Sequence, residues 1–271
     1  MSLWNLVYIT SNSHSGSTLL DMLLGSHSRC LTLGEIHKLT LKSEGVCACG
    51  ADNYRECLFW ADVNQRLLAS SGLALADLRL HTEDPREFQA MNRALFAALQ
   101  AKTGCSWFVD SSKKLARLKL LLADPDFNVI PIHIVRRPEG VVCSNLAKGR
   151  PYRDELRAYY YDLWNRYKFL QRRPHLLISY ERLCSQPEMI LGRIMQALGL
   201  EFEPSQLDWS QQEHHNVNGN KRTRTSRHSA IRLDERWRRE LTAGQRLLIA
   251  LAQFRFRMRL LLRLGLWPRP L

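Results

Sequence analysis

The chain has 271 residues, 45% of them hydrophobic, enough to bury the core of one α/β domain. No apolar run reaches the ~18 residues that a membrane span needs, and the few residues before the first apolar strand leave no room for a signal peptide, so a cytoplasmic protein is expected. A formal charge of +13, from 39 Lys and Arg against 26 Asp and Glu, points to anionic ligands; nucleic acid is disfavoured because no base-stacking or base-reading motif accompanies the basic clusters at 221–238 and 255–269.

Leu6 to Ile9 read as a buried strand, and Thr18 to Leu24 as a helix whose Leu19, Leu20, Leu23 and Leu24 face a core. Between them lies Ser11-Asn-Ser13-His14-Ser15-Gly16-Ser17, a small hydroxyl-rich loop that meets the helix N-terminus. Unpaired amides and the positive end of the helix dipole make such a junction an anion site, and Gly16 lets the backbone come close. Compared with the P-loop pattern G-x-x-x-x-G-K-[ST], Ser11 stands at the first glycine, Ser17 at the lysine and Thr18 at the last hydroxyl. The loop suits a phosphate-like group but lacks the ATPase lysine; an ordinary strand-to-helix turn with serine caps also fits.

Further strands are expected at about 106–110, 127–135 and 176–180, separated by helices. This is the rhythm of parallel βαβ units and hence of an α/β, P-loop-type three-layer fold around a central parallel sheet. The whole chain reads as one domain. Residues 40–105 break the rhythm as an insert expected to shape a ligand pocket, with a helix starting at Asp84-Pro85, a favourable N-cap and N1 pair. Within it Cys47, Cys49 and Cys57 lie close together, ten residues or more after His37. A small zinc site with three thiolates, a reversible disulfide and packed free thiols all stay open. The helix from Tyr152 to Leu170 carries Tyr159, Tyr160, Tyr161, Trp164 and Tyr167, which suits either packing or a ligand-facing wall. The basic C-terminal segment, about 240–271, mixes leucine and phenylalanine with Arg255, Arg257, Arg259 and Arg263. It is too charged to span a bilayer, which leaves a helix docked on the sheet with outward arginines, or a peripheral contact with anionic lipid at the inner membrane surface.

The strand at 129–135 runs into Arg136, Pro138 and, eight residues after the arginine, Ser144. Strand, R-x-P and serine at that interval resemble the 3′-phosphate grip of sulfotransferases that use 3′-phosphoadenosine 5′-phosphosulfate (PAPS). The first loop resembles their 5′-phosphosulfate loop, with Ser13, His14, Ser15, Gly16, Ser17 and Thr18 as cofactor-binding residues. Leu33-Gly-Glu35, Trp107 to Lys113, Tyr180 and the segment from His215 to Arg224, similar to G-N-x-x-R, follow in the family's order. The closest likeness is to the bacterial branch with an H-S-G-S-T-L-L loop and a C-x-C-G insert, over about residues 4–224.

The resemblance implies a sulfuryl transfer from PAPS to a hydroxyl or amine of a small-molecule, glycan or lipid acceptor, with no catalytic metal. It places Glu35 as general base with a pKa raised by burial. Lys113 would stabilise the leaving group, Arg136 and Ser144 would bind the 3′-phosphate, Tyr180 would lie near the adenine, and Gly219, Asn220 and Arg222 would close over the phosphate. His14 departs from the Arg or Lys of many relatives, and is expected either protonated by the phosphosulfate or neutral. Two alternatives remain: a small-molecule kinase with Asp110 on magnesium, weakened by the missing loop lysine, and a non-catalytic module binding adenosine bisphosphate or RNA ends.

Overall fold

Leu6, Val7, Tyr8 and Ile9 are wholly buried, because the strand that holds them runs down the middle of a sheet covered on both faces. The computed structural model describes residues 4–39, 47–224, 228 and 230–266. In chain order the main elements are β1 (Trp4–Thr10), α1 (Ser17–Gly25), β2 (Cys30–Gly34), α2 (Leu58–Ser71), α3 (Pro85–Thr103), β3 (Trp107–Asp110), α4 (Leu115–Ala123), β4 (Phe127–Val135), α5 (Pro138–Leu146), α6 (Tyr152–Leu170), β5 (Leu176–Ser179), α7 (Tyr180–Ser185), α8 (Pro187–Leu198), α9 (Lys221–Arg224), α10 (Trp237–Glu240) and α11 (Ala243–Leu264). The five strands are parallel in the order β2-β3-β1-β4-β5. β1 therefore has β3 on one side and β4 on the other, and the chain leaves the C-terminal end of β1 toward β2 but that of the adjacent β4 toward β5, in opposite directions. In such sheets ligands bind at that switch point, outside the strand C-termini.

One face is covered by α2, α3 and α4, where Phe96 meets Trp4, Phe108 and Phe127 with ring centroids 4.9–6.0 Å apart. Asp84 caps α3 by accepting from the Glu87 amide at 2.8 Å, with Pro85 in the first turn, as expected from that pair. The opposite face is covered by α1, α7 and α8, through residues such as Leu20, Leu23, Leu183 and Ile194. The aromatic helix α6 spends Tyr159 and Tyr167 on packing: both are buried in a cluster with Phe256 and Leu260 of α11 that also takes in Val135 and Leu177 of the sheet. Tyr161 is exposed, so α6 is an apolar ridge with one solvated edge. Helix α11 docks there and leaves Leu247, Leu251 and Phe254 exposed.

β2 was not among the expected strands. It has only five residues at the edge of the sheet, and Cys-Leu-Thr-Leu-Gly is too short for its alternation to stand out. The described part of the expected insert, 47–105, supplies α2 and α3 to the core; residues 40–46 lie outside the described residues. No helix among the described residues is long and apolar enough to cross a membrane.

Candidate functional site

β1 ends at Thr10, and the chain turns through residues 11–16 into α1. His14 (φ 62°) and Gly16 (φ 88°) both adopt left-handed backbone, and no side chain caps α1. A Cβ at Gly16 would sit 2.3 Å from Cδ2 of Tyr180, so only glycine lets the loop lie against that ring. The Ser11 and Ser15 hydroxyls are buried without a hydrogen-bond partner among the described residues. Together with the uncapped helix start, they form a cradle whose donors an anion would satisfy. Gly16→Ala is expected to cost about 2–4 kcal/mol through left-handed strain and the clash with Tyr180. Thermal unfolding measures it, and an unchanged midpoint would mean that the loop can move off the ring.

Glu35 follows β2 directly. Its amide donates to the Val217 carbonyl at 2.7 Å, and its side chain is buried. Lys113, just past β3 and held at φ 67°, donates to one carboxylate oxygen, and Lys38 pairs with the other. Burial alone pushes the Glu35 carboxyl up, but the Lys113 and Lys38 ammonium groups outweigh it and hold the pKa at about 2. This corrects the expectation of a raised pKa: the flanking cations, one of them on a residue the sequence did not single out, decide the sign. Asp110, two residues before Ser112, is wholly buried. Its oxygens take the Arg117 guanidinium at 2.7 Å and the Ser112 amide at 2.8 Å, so this carboxylate is a structural brace.

Arg136 follows β4 directly and lies 6% exposed in the cleft wall. Its Nη1 donates to the His14 carbonyl at 2.9 Å and Nη2 to the Asp234 carbonyl at 3.0 Å, while its plane covers the Tyr180 ring at 4.7 Å. A Cβ on Gly140 would come within 2.5 Å of Arg136 Nε, so this glycine of α5 clears the guanidinium's seat. Ser144 lines the same cleft and donates back to the Gly140 carbonyl at 2.8 Å.

Lys148 Nζ lies 3.0 Å from His14 Nε2. An ammonium only donates, so Nε2 accepts and the imidazole is neutral. Burial first, then Lys148, Arg136, Lys113 and Arg150, lower the His14 pKa from 6.5 to about 4. A histidine depressed in the folded state takes up its proton more readily when unfolded, so its stabilisation is complete above pH ~6.5 and is lost as pH falls toward 4. His37, also held at about 4 chiefly by burial, adds to the same slope. The unfolding midpoint should therefore fall between pH 6.5 and 4, and less steeply in His14→Gln; identical slopes in both proteins would contradict the assignment.

Residues 215–220 form a strap across the strand ends. The Val217 amide donates to the Leu33 carbonyl at 3.0 Å, and the Asn220 amide to Thr18 Oγ1 at 3.0 Å. Gly219, at φ 103°, packs on Thr18. Loop, Glu35, Lys113, Arg136, Ser144, Tyr180 and strap thus share one open cleft of about 1840 Å³, together with Gly219, Asn220 and exposed Arg222. Basic side chains outnumber acidic ones among the described residues lining it. Lys38, Lys148 and the buried Arg166, whose guanidinium donates to Thr10 Oγ1 at 3.1 Å and the Lys113 carbonyl at 3.2 Å, join it without having been picked out from sequence. No periodicity marks them; they come from three unrelated elements. None of the described residues 47–105 lines this cleft, whereas His37 does. His37 is therefore not beside the cysteines; His215 is.

A parallel α/β sheet with an anion-ready strand-to-helix loop at its switch point defines a protein of the P-loop type of fold. The profile of the Sulfotransferase family matches residues 7–204. The chain belongs to that family. Among solved structures it is similar to the sulfotransferase domain of the Synechococcus PCC 7002 olefin synthase (20% identity, TM-score 0.62, 94% of this chain and 95% of that one). It is also similar to the sulfotransferase domain of the curacin biosynthetic pathway (20% identity, TM-score 0.56, 94% and 99%) and to a sulfotransferase, STF9, of Mycobacterium avium (13% identity, TM-score 0.50, 94% and 77%). These likenesses concern the fold. No curated protein matches.

Proposed function

We propose that this sulfotransferase takes its sulfuryl group from PAPS and passes it to a hydroxyl or amine acceptor, with Glu35 as general base. The observation that carries the reading is the contact between Glu35 and Lys113 in front of the loop whose buried serine hydroxyls lack partners. When bound, PAPS supplies an activated sulfuryl group on a good leaving group. The residues present suit such a donor: unsatisfied hydroxyls and helix amides for one phosphate, and a guanidinium fork with a serine hydroxyl for the other.

In this reading Arg136 turns its fork from the His14 and Asp234 carbonyls toward the 3′-phosphate, Ser144 adds a hydroxyl, and Arg222 closes from the strap. Tyr180, already stacked under Arg136, offers its ring edge to the adenine. Neutral His14 contributes a hydrogen bond from Nδ1 rather than a charge. Lys113 is shared. While it pairs with Glu35 the carboxylate is a poor base; once its ammonium turns to negative charge developing at the loop, the larger of the two lowering influences is withdrawn, Lys38 stays on the other oxygen, and the basicity of Glu35 rises, so that the freed oxygen takes the acceptor's proton.

A kinase reading needs a carboxylate for magnesium. Asp110 is enclosed and occupied by Arg117, which disfavours it. Calorimetric titration with 3′-phosphoadenosine 5′-phosphate, without metal, against a parallel titration with Mg-ATP tests the reading. Binding of the bisphosphate alone is expected; binding of Mg-ATP alone would overturn it. A lipid acceptor, or a peripheral contact with anionic lipid, would use α11, where Leu247, Leu251 and Phe254 stand exposed beside arginines. Co-sedimentation with anionic vesicles, reduced in Leu251→Glu/Phe254→Glu, is the expected result, and equal sedimentation of both proteins would remove this contact.

A further inference from the structure

Away from the cleft, the geometry points to a structural zinc site formed by Cys47, Cys49, Cys57 and His215. Their four ligand atoms all lie within 4.8 Å of one another. Cys57 Sγ is 3.6 Å from both Cys47 Sγ and Cys49 Sγ, and His215 Nδ1 is 3.3 Å from Cys57 Sγ and 3.9 Å from Cys47 Sγ. With Zn–S bonds of ≈2.3 Å and Zn–N of ≈2.0–2.1 Å, a regular tetrahedron has edges of about 3.8 Å between sulfurs and about 3.6 Å between sulfur and nitrogen. These four separations scatter around those values, and the remaining two stay within 4.8 Å. A disulfide would use two of the sulfurs and leave the third thiol and the imidazole unaccounted for, whereas a zinc ion uses all four groups.

The surroundings fit a metal ligand as well. His215 Nε2 is 3.2 Å from the Glu213 carboxylate, which keeps the proton on Nε2 and leaves the Nδ1 lone pair for the ion. Phe59 stacks on the imidazole at 4.5 Å with planes 9° apart, and Trp60 Nε1 donates to the His215 carbonyl at 2.8 Å. Both aromatics follow Cys57 at the start of α2, so the residues that hold the ring come from the element that supplies a thiolate. The Gly50 amide donates to the Cys47 carbonyl at 3.1 Å, a tight turn that brings Cys49 back over Cys47, with Gly50 at φ 97°. Cys47 and Cys57 are buried and Cys49 is exposed, so an ion can enter from the Cys49 side. Binding releases the thiol protons and changes no oxidation state. Four protein ligands leave no open position, as in structural rather than catalytic zinc sites.

His215 lies 158 residues beyond Cys57 and opens the strap that pairs with Leu33 and Glu35 and docks on Thr18. The Ala48 amide also donates to the Asn216 carbonyl at 3.2 Å. A metal here would staple the cysteine turn to the strap, and so hold the segment that braces Glu35 and covers the loop. This inference does not depend on the identity of the sulfuryl donor.

Elemental analysis of the full chain, purified under reducing conditions with zinc added and then dialysed, tests it. One zinc per chain is expected. Cobalt substitution should give an intense thiolate-to-metal charge-transfer band and the red-region bands of a tetrahedral ion, both lost in Cys49→Ser, a change at the exposed ligand. Glu213→Gln should weaken zinc binding by roughly 10-fold, since it acts only through the ring of His215. Chelation should speed hydrogen exchange at the Val217 and Asn220 amides, and zinc should slow it again. Metal-free protein after reconstitution, a six-coordinate cobalt spectrum, full stoichiometry in Cys49→Ser, or a disulfide within the cluster by mass spectrometry would each overturn the site. Exchange unaffected by chelation would overturn its link to the strap.

Discussion

Glu35→Gln is expected to lower turnover with PAPS by about 10²–10⁴-fold, the usual contribution of a positioned base, while affinity for the adenosine bisphosphate stays the same or tightens. The carboxylate is buried and gripped by Lys113 and Lys38. Removing its charge takes away the proton acceptor and also frees Lys113 for the donor's phosphates, so binding and turnover should move in opposite directions or binding not at all. A merely structural Glu35 would lose both together, because two lysines would be left facing each other in a confined site. Single-turnover kinetics with calorimetry on the same preparation separates the cases: turnover within a few-fold of the unaltered protein would remove Glu35 as the base. Because the free enzyme holds Glu35 near 2, its protonation should not limit kcat/KM at any pH above about 4.

Arg136→Ala should weaken bisphosphate binding by about 10²-fold or more, since two charge-assisted hydrogen bonds are each worth about 1.5–3 kcal/mol. The guanidinium is almost enclosed and stacked on Tyr180; its donors rest on the His14 and Asp234 carbonyls, and Nη2 also lies 3.1 Å from the Asp234 carboxylate, which a phosphate would have to displace. Arg136→Lys keeps the charge but not the planar fork, and should recover only part of the affinity. Full affinity in the lysine variant would show that charge alone is read. Affinity unchanged in the alanine variant would place the 3′-phosphate elsewhere and undo the donor assignment.

Much of the architecture was legible because it depends on local periodicity. The apolar runs at β1, β3, β4 and β5, the leucine-spaced α1 and the cap at Asp84 each carry their signal within a few residues. The two candidate phosphate-binding segments were legible for the same reason: a small-residue loop before a helix and R-x-P after a strand are short-range patterns, and each is followed by a well-formed helix. β2 was missed because a five-residue edge strand offers too little alternation, and with it went the reason why Glu35 stands beside Lys113. The zinc reading had three cysteines and no fourth ligand: His37 is near them in sequence, whereas His215 is near them in space.

What the sequence determined by itself was the fold class, the order of its elements and the kinds of side chain brought to the strand ends. Only the tertiary structure decided the charge state of Glu35, the neutrality of His14, the enclosure of Asp110 by Arg117 and the union of His215 with the cysteines. Secondary structure follows interactions between residues a few positions apart, whereas a pKa or a ligand set follows distances of a few ångströms between groups as far apart in sequence as Cys57 and His215, 158 positions. Those distances exist only once the strands have taken their order in the sheet.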